Sequence, residues 1–176
     1  MNHALTQQLM AVIADVPDFP KPGIVFKDIT PLLADHAAFS AFTNALVERY
    51  TGAGITQVVG IESRGFIFGA ALAHALGCGM TLVRKPGKLP RETRRVNYDL
   101  EDGTDTLHIH ADALDASDRV IVIDDVLATG GTAAAAAKLV ESTGAAIHEL
   151  TFLMELGFLN GRDKLEGRPT VAAIVY

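Results

Sequence analysis

The sequence predicts an α/β domain with a mainly parallel twisted sheet flanked by helices. Three observations carry that prediction. Apolar strand-like runs alternate with helix-like periods along the chain, a pattern that yields parallel strands joined by right-handed crossovers. The best strand, Val120-Ile-Val-Ile123, is apolar on both faces, as a strand covered by helices on each side has to be. Two strand-to-helix turns, Glu62–Gly65 and Asp124–Thr132, gather glycine, hydroxyl and charged residues where ligands bind on such sheets, at the carboxyl ends of strands.

Taken in order, Leu5, Leu9, Val12, Ile13 and Val16 recur at helical spacing and predict an amphipathic helix over 4–16. Asp18-Phe-Pro-Lys-Pro-Gly23 ends it, since two prolines and a glycine do not continue a helix. Ile24 to Leu33 reads as extended or irregular. Phe26 within it is either a core anchor, the default for a single Phe, or a platform for a planar ligand. Phe39, Phe42, Leu46 and Tyr50 predict a second helix, closed by Gly52 and Gly54. Val58–Ile61 is a short buried strand, and Phe66–Leu76 an apolar helix ended by Gly77. Met80–Val83 is the next strand.

Arg84 to Val96 has no apolar period and carries two prolines and a glycine, so it reads as a long loop of the kind that is either functional or disordered. Tyr98–Leu100 and Thr106–His110 look like a strand pair about a turn at Asp102-Gly103. His108 and His110 share one face of that strand. With no third ligand evident, a solvated face explains them better than a metal. The apolar strand at Val120 precedes an alanine-rich helix, Thr132–Glu141, for which Ala has the best intrinsic propensity. Ala145–Leu156 is a long strand, Asn160–Leu165 a polar loop or helical turn, and Val171–Val175 a final strand.

A length of 176 residues fits a single domain, and 49% hydrophobic residues suffice for a sizeable core. No apolar run approaches the roughly 18 residues of a membrane span, and the N-terminus has neither the charged nor the apolar region of a secretory signal. The single Cys78 fits a reducing cytoplasm. A net charge of −6 argues against broad binding to nucleic acid. Yet seven of the fifteen Lys and Arg residues lie between Arg64 and Arg95, which fits a small, highly charged anion. Taken alone, a solvated basic loop would account for that cluster.

The stretch Val120 to Thr132 is the most informative. A strand delivers two carboxylates, Asp124 and Asp125, and a Thr-Gly-Gly-Thr turn then opens a helix. Helix N-termini expose unpaired N–H groups and partial positive charge. Gly130 and Gly131 let the backbone approach an anion without a Cβ in the way, and Thr129 and Thr132 add hydroxyl donors. The carboxylates would repel a phosphate but suit sugar hydroxyls or hydrated Mg2+. The local chemistry points to a phosphorylated sugar. No Gly-Lys-Ser/Thr closes a Walker A loop, and Gly-x-Gly-x-x-Gly is absent from this turn.

Val120–Thr132 resembles the phosphoribosyl-diphosphate signature of the type I phosphoribosyltransferases. Phe19–Leu33, Ile61–Gly69, Arg84–Pro90, Tyr98–Glu101 and Gly103–Leu107 resemble those members of the family that act on adenine. The likeness runs from about residue 16 to about residue 165. It implies the family's fold over the whole of 1–176, with a small N-terminal hood at about 1–35 and a flexible lid loop at about 84–105. The implied activity is transfer of 5-phosphoribosyl to adenine, with Mg2+ carried by the substrate, in a cytoplasmic homodimer. Ala128, Thr129, Gly130, Gly131 and Thr132 would hold the 5′-phosphate, and Asp124 and Asp125 the ribose hydroxyls. Ser63, Arg64, Arg84, Lys85 and Lys88 would meet the pyrophosphate, with Arg64 and Lys85 acting in catalysis. Phe26 would stack on adenine while the backbone of Val25 and Lys27 reads its edge, and Glu101 would accept a proton from the base. Asp102 stands where the family has Tyr, so lid closure is expected to be weaker or to rest on other groups. Arg94 and Arg95 make the lid more basic than the family pattern, and Lys27 stands where many members have Arg.

Overall fold

A computed structural model describes residues 1–100 and 103–176. Glu101 and Asp102, and with them the expected proton acceptor and the departure in the lid, lie outside the described residues. The centre is a five-stranded, all-parallel sheet. Its strands are β3 (Gln57–Ile61), β4 (Gly79–Val83), β7 (Arg119–Leu127), β8 (Ala146–Glu155) and β9 (Thr170–Val175), in the order β4-β3-β7-β8-β9. β7 is the middle strand, and its side chains feed both faces. Val120 and Val122 pack with β3 residues Val59 and Ile61 on one side, Ile121 and Ile123 with Val58 on the other. All are fully buried, which explains why the sequence of β7 is apolar without alternation.

On the first face lies α5 (Gly131–Glu141), whose run Ala133–Ala137 is buried throughout. Side chains that stop at Cβ bring the helix axis close to the sheet, and that closeness fixes where the helix begins. The second face is covered by α3 (His36–Tyr50) and α4 (Gly65–Leu76), with Phe42 and Phe68 meeting edge to face at 5.3 Å. Asp35 caps α3 through the Ala38 N–H, and Gly77 closes α4 in the left-handed conformation.

Three readings of the sequence change. The first helix, α1, stops at Met10, and Ala14–Pro17 forms β1, an antiparallel partner of β2 (Val25–Asp28). Val12, Ile13 and Val16 matched helical spacing, but they are β-branched and precede a proline, which suits an extended pairing. Ile24–Leu33 is extended at β2, as expected, but then turns into the one-turn helix α2 (Thr30–Ala34), with Pro31 in its first turn. The basic segment is only partly loop. β5 (Thr93–Leu100) and β6 (Gly103–His110) pair over eight residues as an antiparallel ribbon, so Thr93–Val96 is strand. The ribbon is a separate sheet, tied to the end of β4 by a bridge between Arg84 and His108. Leu107 and Ile109 drive its base into the core. His108 and His110 are partly buried rather than on a solvated face, with Thr93 Oγ1 2.9 Å from His108 Nδ1.

Between α3 and β8 the core admits one polar network. Arg49 grips Glu149 with two hydrogen bonds (2.6 and 2.7 Å), and the Tyr50 hydroxyl donates to the same carboxylate at 2.6 Å. Thr151 Oγ1 lies 2.5 Å from the Tyr50 oxygen. Burial works against charge on Glu149, but Arg49 and Tyr50 outweigh it and hold its carboxyl below the usual range. Tyr50→Phe leaves Glu149 and Thr151 each one partner short. It is expected to cost about 1–3 kcal/mol in urea unfolding without touching substrate KM.

Candidate active site

The carboxyl ends of β3 and β7 and the start of α5 surround a polar cavity of about 420 Å3. Asp124 and Asp125 stand at its floor, where they interrupt the apolar run of β7 ahead of its last two residues, Val126 and Leu127. The Asp125 N–H donates to Asp124 Oδ1 at 2.8 Å. Burial pushes both carboxyls above the usual range, and their mutual repulsion raises Asp124 further. Arg64, just before α4, pairs its Nε with Asp125 Oδ2 at 2.8 Å and pulls that carboxyl partly back. The single Arg–Asp bond leaves the other guanidinium N–H groups for a ligand.

Opposite the carboxylates, Ala128, Thr129, Gly130 and Thr132 line the same cavity. Gly130 adopts φ 80°, and no side chain caps α5, so its first N–H groups are left for an anion. Gly131 does not line the cavity. It backs onto the ribbon, where a Cβ would come within 3.2 Å of the Asp99 carbonyl. Ser63 lines the wall beside Arg64.

The basic residues divide. Lys85 reaches the cavity rim, where its ammonium is paired with Asp105 of β6 and lies 3.4 Å from the Tyr98 hydroxyl. Arg84 turns away to Glu62, with two contacts of 3.2 Å, and donates to the Lys88 carbonyl at 3.2 Å. Burial disfavours charge on Glu62, but the Lys85 N–H and Arg84 prevail and lower its pKa. Neither Arg84 nor Lys88 lines the cavity.

A second, smaller cavity of about 210 Å3 opens beside the first and shares Arg64, Asp125, Val126 and Ala128 with it. Val25, Phe26 and Lys27 form one wall, and Val126, Met154 and Leu156 another. Phe26 is held edge-on by Phe19 at 5.3 Å, with the Arg64 guanidinium 5.5 Å from its ring centre. The Lys27 ammonium is committed elsewhere, 2.6 Å from Asp15 and over the Tyr176 ring at 4.1 Å. Only the backbone of Lys27 is therefore free to face a ligand.

Four contributors carry no role in the sequence reading. Asp105 and Tyr98 bind Lys85, and one step of Tyr98 leads to Thr132 Oγ1 at 3.4 Å. Gly65 lets α4 start against β7, where a Cβ would meet the Ile123 carbonyl at 2.6 Å. Gly161 packs backbone to backbone against Ala128 and Gly130. Gly65 and Gly161 had local signals, the Glu62–Gly65 turn and the Asn-Gly pair, and both mark turns without saying what they touch. Among the described residues, no three His, Cys, Asp or Glu side chains gather as a metal cage.

A family model described as phosphoribosyl transferase domain matches residues 28–170. An adenine phosphoribosyltransferase of Syntrophotalea carbinolica is 60% identical, over 90% of this chain and 93% of its own. The crystal structure of adenine phosphoribosyltransferase from Rhodothermus marinus superposes with a TM-score of 0.94 at 47% identity, covering 99% of this chain and 100% of that one. The Saccharomyces cerevisiae enzyme, solved with an imino-altritol bisphosphate and adenine, gives 0.92 at 41% identity, covering 98% and 99%.

Proposed function

This chain belongs to the phosphoribosyl transferase family, among its adenine phosphoribosyltransferases, and on that premise we propose that it converts adenine and phosphoribosyl diphosphate to AMP and pyrophosphate. The observation that carries the reading is the pair of adjoining cavities, one polar and one walled by Phe26 and aliphatic side chains, meeting at Arg64 and Asp125.

Each predicted residue then has a task. The N–H groups and hydroxyls from Ala128 to Thr132 bind the 5′-phosphate at the α5 N-terminus. Asp124 and Asp125 accept hydrogen bonds from the ribose 2′- and 3′-hydroxyls, and their charge favours the cationic sugar that develops as the pyrophosphate bond breaks. Arg64, Lys85 and the Ser63 turn receive the pyrophosphate, while Arg84 and Lys88 serve the same anion through Glu62 and the loop they stiffen. Phe26 stacks on adenine, and the backbone of Val25 and Lys27 reads its hydrogen-bonding edge. Glu101 takes the proton that adenine sheds when its nitrogen bonds to the sugar. The ribbon and its preceding loop, about 84–105, form a lid that excludes water from the reacting sugar. The hood is the N-terminal 1–35.

The Asp124–Asp125 pair can accept hydrogen bonds from metal-bound water, so the site fits Mg2+ carried on the substrate. When bound, Mg2+ supplies charge neutralisation of the pyrophosphate. The enzyme works as a homodimer in the cytoplasm. No helix among the described residues is long and apolar enough to cross a membrane.

Purified protein given adenine, phosphoribosyl diphosphate and Mg2+ is expected to release AMP. Absence of AMP at high protein, or a preference for hypoxanthine or guanine in competition, would overturn the reading. Phe26→Ala is expected to raise the KM for adenine by roughly tenfold or more, the usual worth of a base–aromatic stack, with little change in the KM for phosphoribosyl diphosphate.

A further inference from the structure

The Lys85 ammonium lies at the rim of the polar cavity, yet its partner is not in the cavity. It is ion-paired with Asp105, on the ribbon, and approached by the Tyr98 hydroxyl. Asp105 and Tyr98 are directly opposed in the β5–β6 register, and Tyr98 in turn reaches Thr132 of the phosphate cradle. The Lys85 backbone is separately anchored, its N–H donating to Glu62 at 2.8 Å. The ammonium can therefore change partners on its flexible stem while the chain beneath it stays in place.

We propose that Asp105 is a positioning residue for the pyrophosphate half of the reaction, a counter-ion that holds Lys85 on the ribbon until phosphate oxygens displace it. The inference rests on the reading above, in which Lys85 meets the pyrophosphate. A carboxylate and a pyrophosphate compete for one ammonium. The pyrophosphate carries more charge and wins, but Asp105 stays close and reclaims Lys85 when the anion leaves. Exchange of this single ion pair thus links arrival of the anion to release of the ribbon, and departure of the product to its recapture. Both side chains are partly open to solvent, 41% for Lys85 and 22% for Asp105, so the pair is weak enough to trade.

The test is calorimetric titration of inorganic pyrophosphate into the full chain and its variants, beside steady-state kinetics. Asp105→Asn keeps the shape and the hydrogen bond from Tyr98 but removes the charge. It is expected to tighten pyrophosphate binding by roughly fivefold, lower the KM for phosphoribosyl diphosphate, strengthen product inhibition and lose this gain in high salt. Asp105→Glu restores parental binding, and Asp105→Ala replaces the Asn variant if that one does not fold. Lys85→Ala is expected to weaken pyrophosphate binding by roughly tenfold, and Asp105→Asn added to it to change nothing. Weaker binding in Asp105→Asn alone would overturn the proposal, because Asp105 would then be aligning Lys85 for the anion. Equal tightening in the Lys85→Ala background would also overturn it, leaving simple repulsion at a distance. No effect of Lys85→Ala would instead sink the underlying assignment of Lys85.

Discussion

The double variant Asp124→Asn with Asp125→Asn is expected to lose about a thousandfold or more in kcat/KM and yet melt at a higher temperature than the parent. The loss follows from the site: two neutral amides neither accept strongly from the ribose hydroxyls nor favour a developing cation. The gain follows from burial. Both carboxyls titrate above the ordinary Asp value of 3.8 in the folded protein, because burial disfavours their charged forms and, for Asp124, because the charge of Asp125 lies beside it. Folding therefore favours their protonated forms. Their contribution to stability is complete below the ordinary Asp range and is lost as pH rises through the raised values. At neutral pH each unit of elevation costs the folded state about 1.4 kcal/mol, and relief of one such unit is worth roughly 3 °C in a chain of this size. Thermal melts between about pH 5 and pH 8 should show the parent losing stability relative to the variant as pH rises, after correction for acids such as Glu62 and Glu149 whose pKa values are lowered. Parental turnover in the variant would remove the ribose assignment.

Gly161→Ala is expected to damage the phosphate cradle from outside it. Gly161 does not line the cavity, but its backbone lies directly on that of Ala128 and Gly130, which do. An added Cβ would overlap the Ala128 carbonyl and come 2.8 Å from the Gly130 nitrogen. Both neighbours are backbone, and neither can rotate aside. Either the turn before α5 or the 3-10 turn at Gly161–Leu165 has to move. Overpacking of this kind typically costs about 1–3 kcal/mol. Because the displaced atoms are those proposed to meet the 5′-phosphate, the KM for phosphoribosyl diphosphate should rise by about tenfold or more, and by more than that for adenine. A melting temperature and KM both close to the parental values would show that the cradle is not held from behind.

The strand-and-helix frame and the heart of the site were readable because their causes are local. An apolar run, two carboxylates and a Thr-Gly-Gly-Thr turn before an alanine run specify a buried strand, a helix start and an anion cradle within thirteen consecutive positions. What escaped depends on distance or on ambiguity of period. Val12, Ile13 and Val16 satisfy helical spacing, and only the pairing of Ala14–Pro17 with β2 decides for a strand. Arg94-Arg95 hides the alternation of β5, which becomes regular only at Val96 and Tyr98 inside and Asn97 and Asp99 outside. That Arg84 serves Glu62, that Lys85 is held by a residue on the far strand of the ribbon, and that Gly161 supports Gly130 are facts about chain crossings. No window of sequence contains them.

The ribbon has one further consequence. Its β6 strand passes from Ile109 and Leu107, fully buried, through the half-covered Thr106 and Asp105, to Thr104 and Gly103 in solvent. Its backbone pairs only with itself and, at its root, with Arg84. Deuterium should therefore enter its amides in a gradient. The tip exchanges through small openings of low free energy, and the root exchanges only with the opening of the central sheet. Such a ribbon works as a cantilever, clamped in the core at its root and steadied along β5 by α5, against which Val96, Tyr98 and Asp99 rest. Its stiffness depends on how deeply Leu107 and Ile109 are seated, so trimming either to alanine would soften the ribbon without removing a single residue from the site.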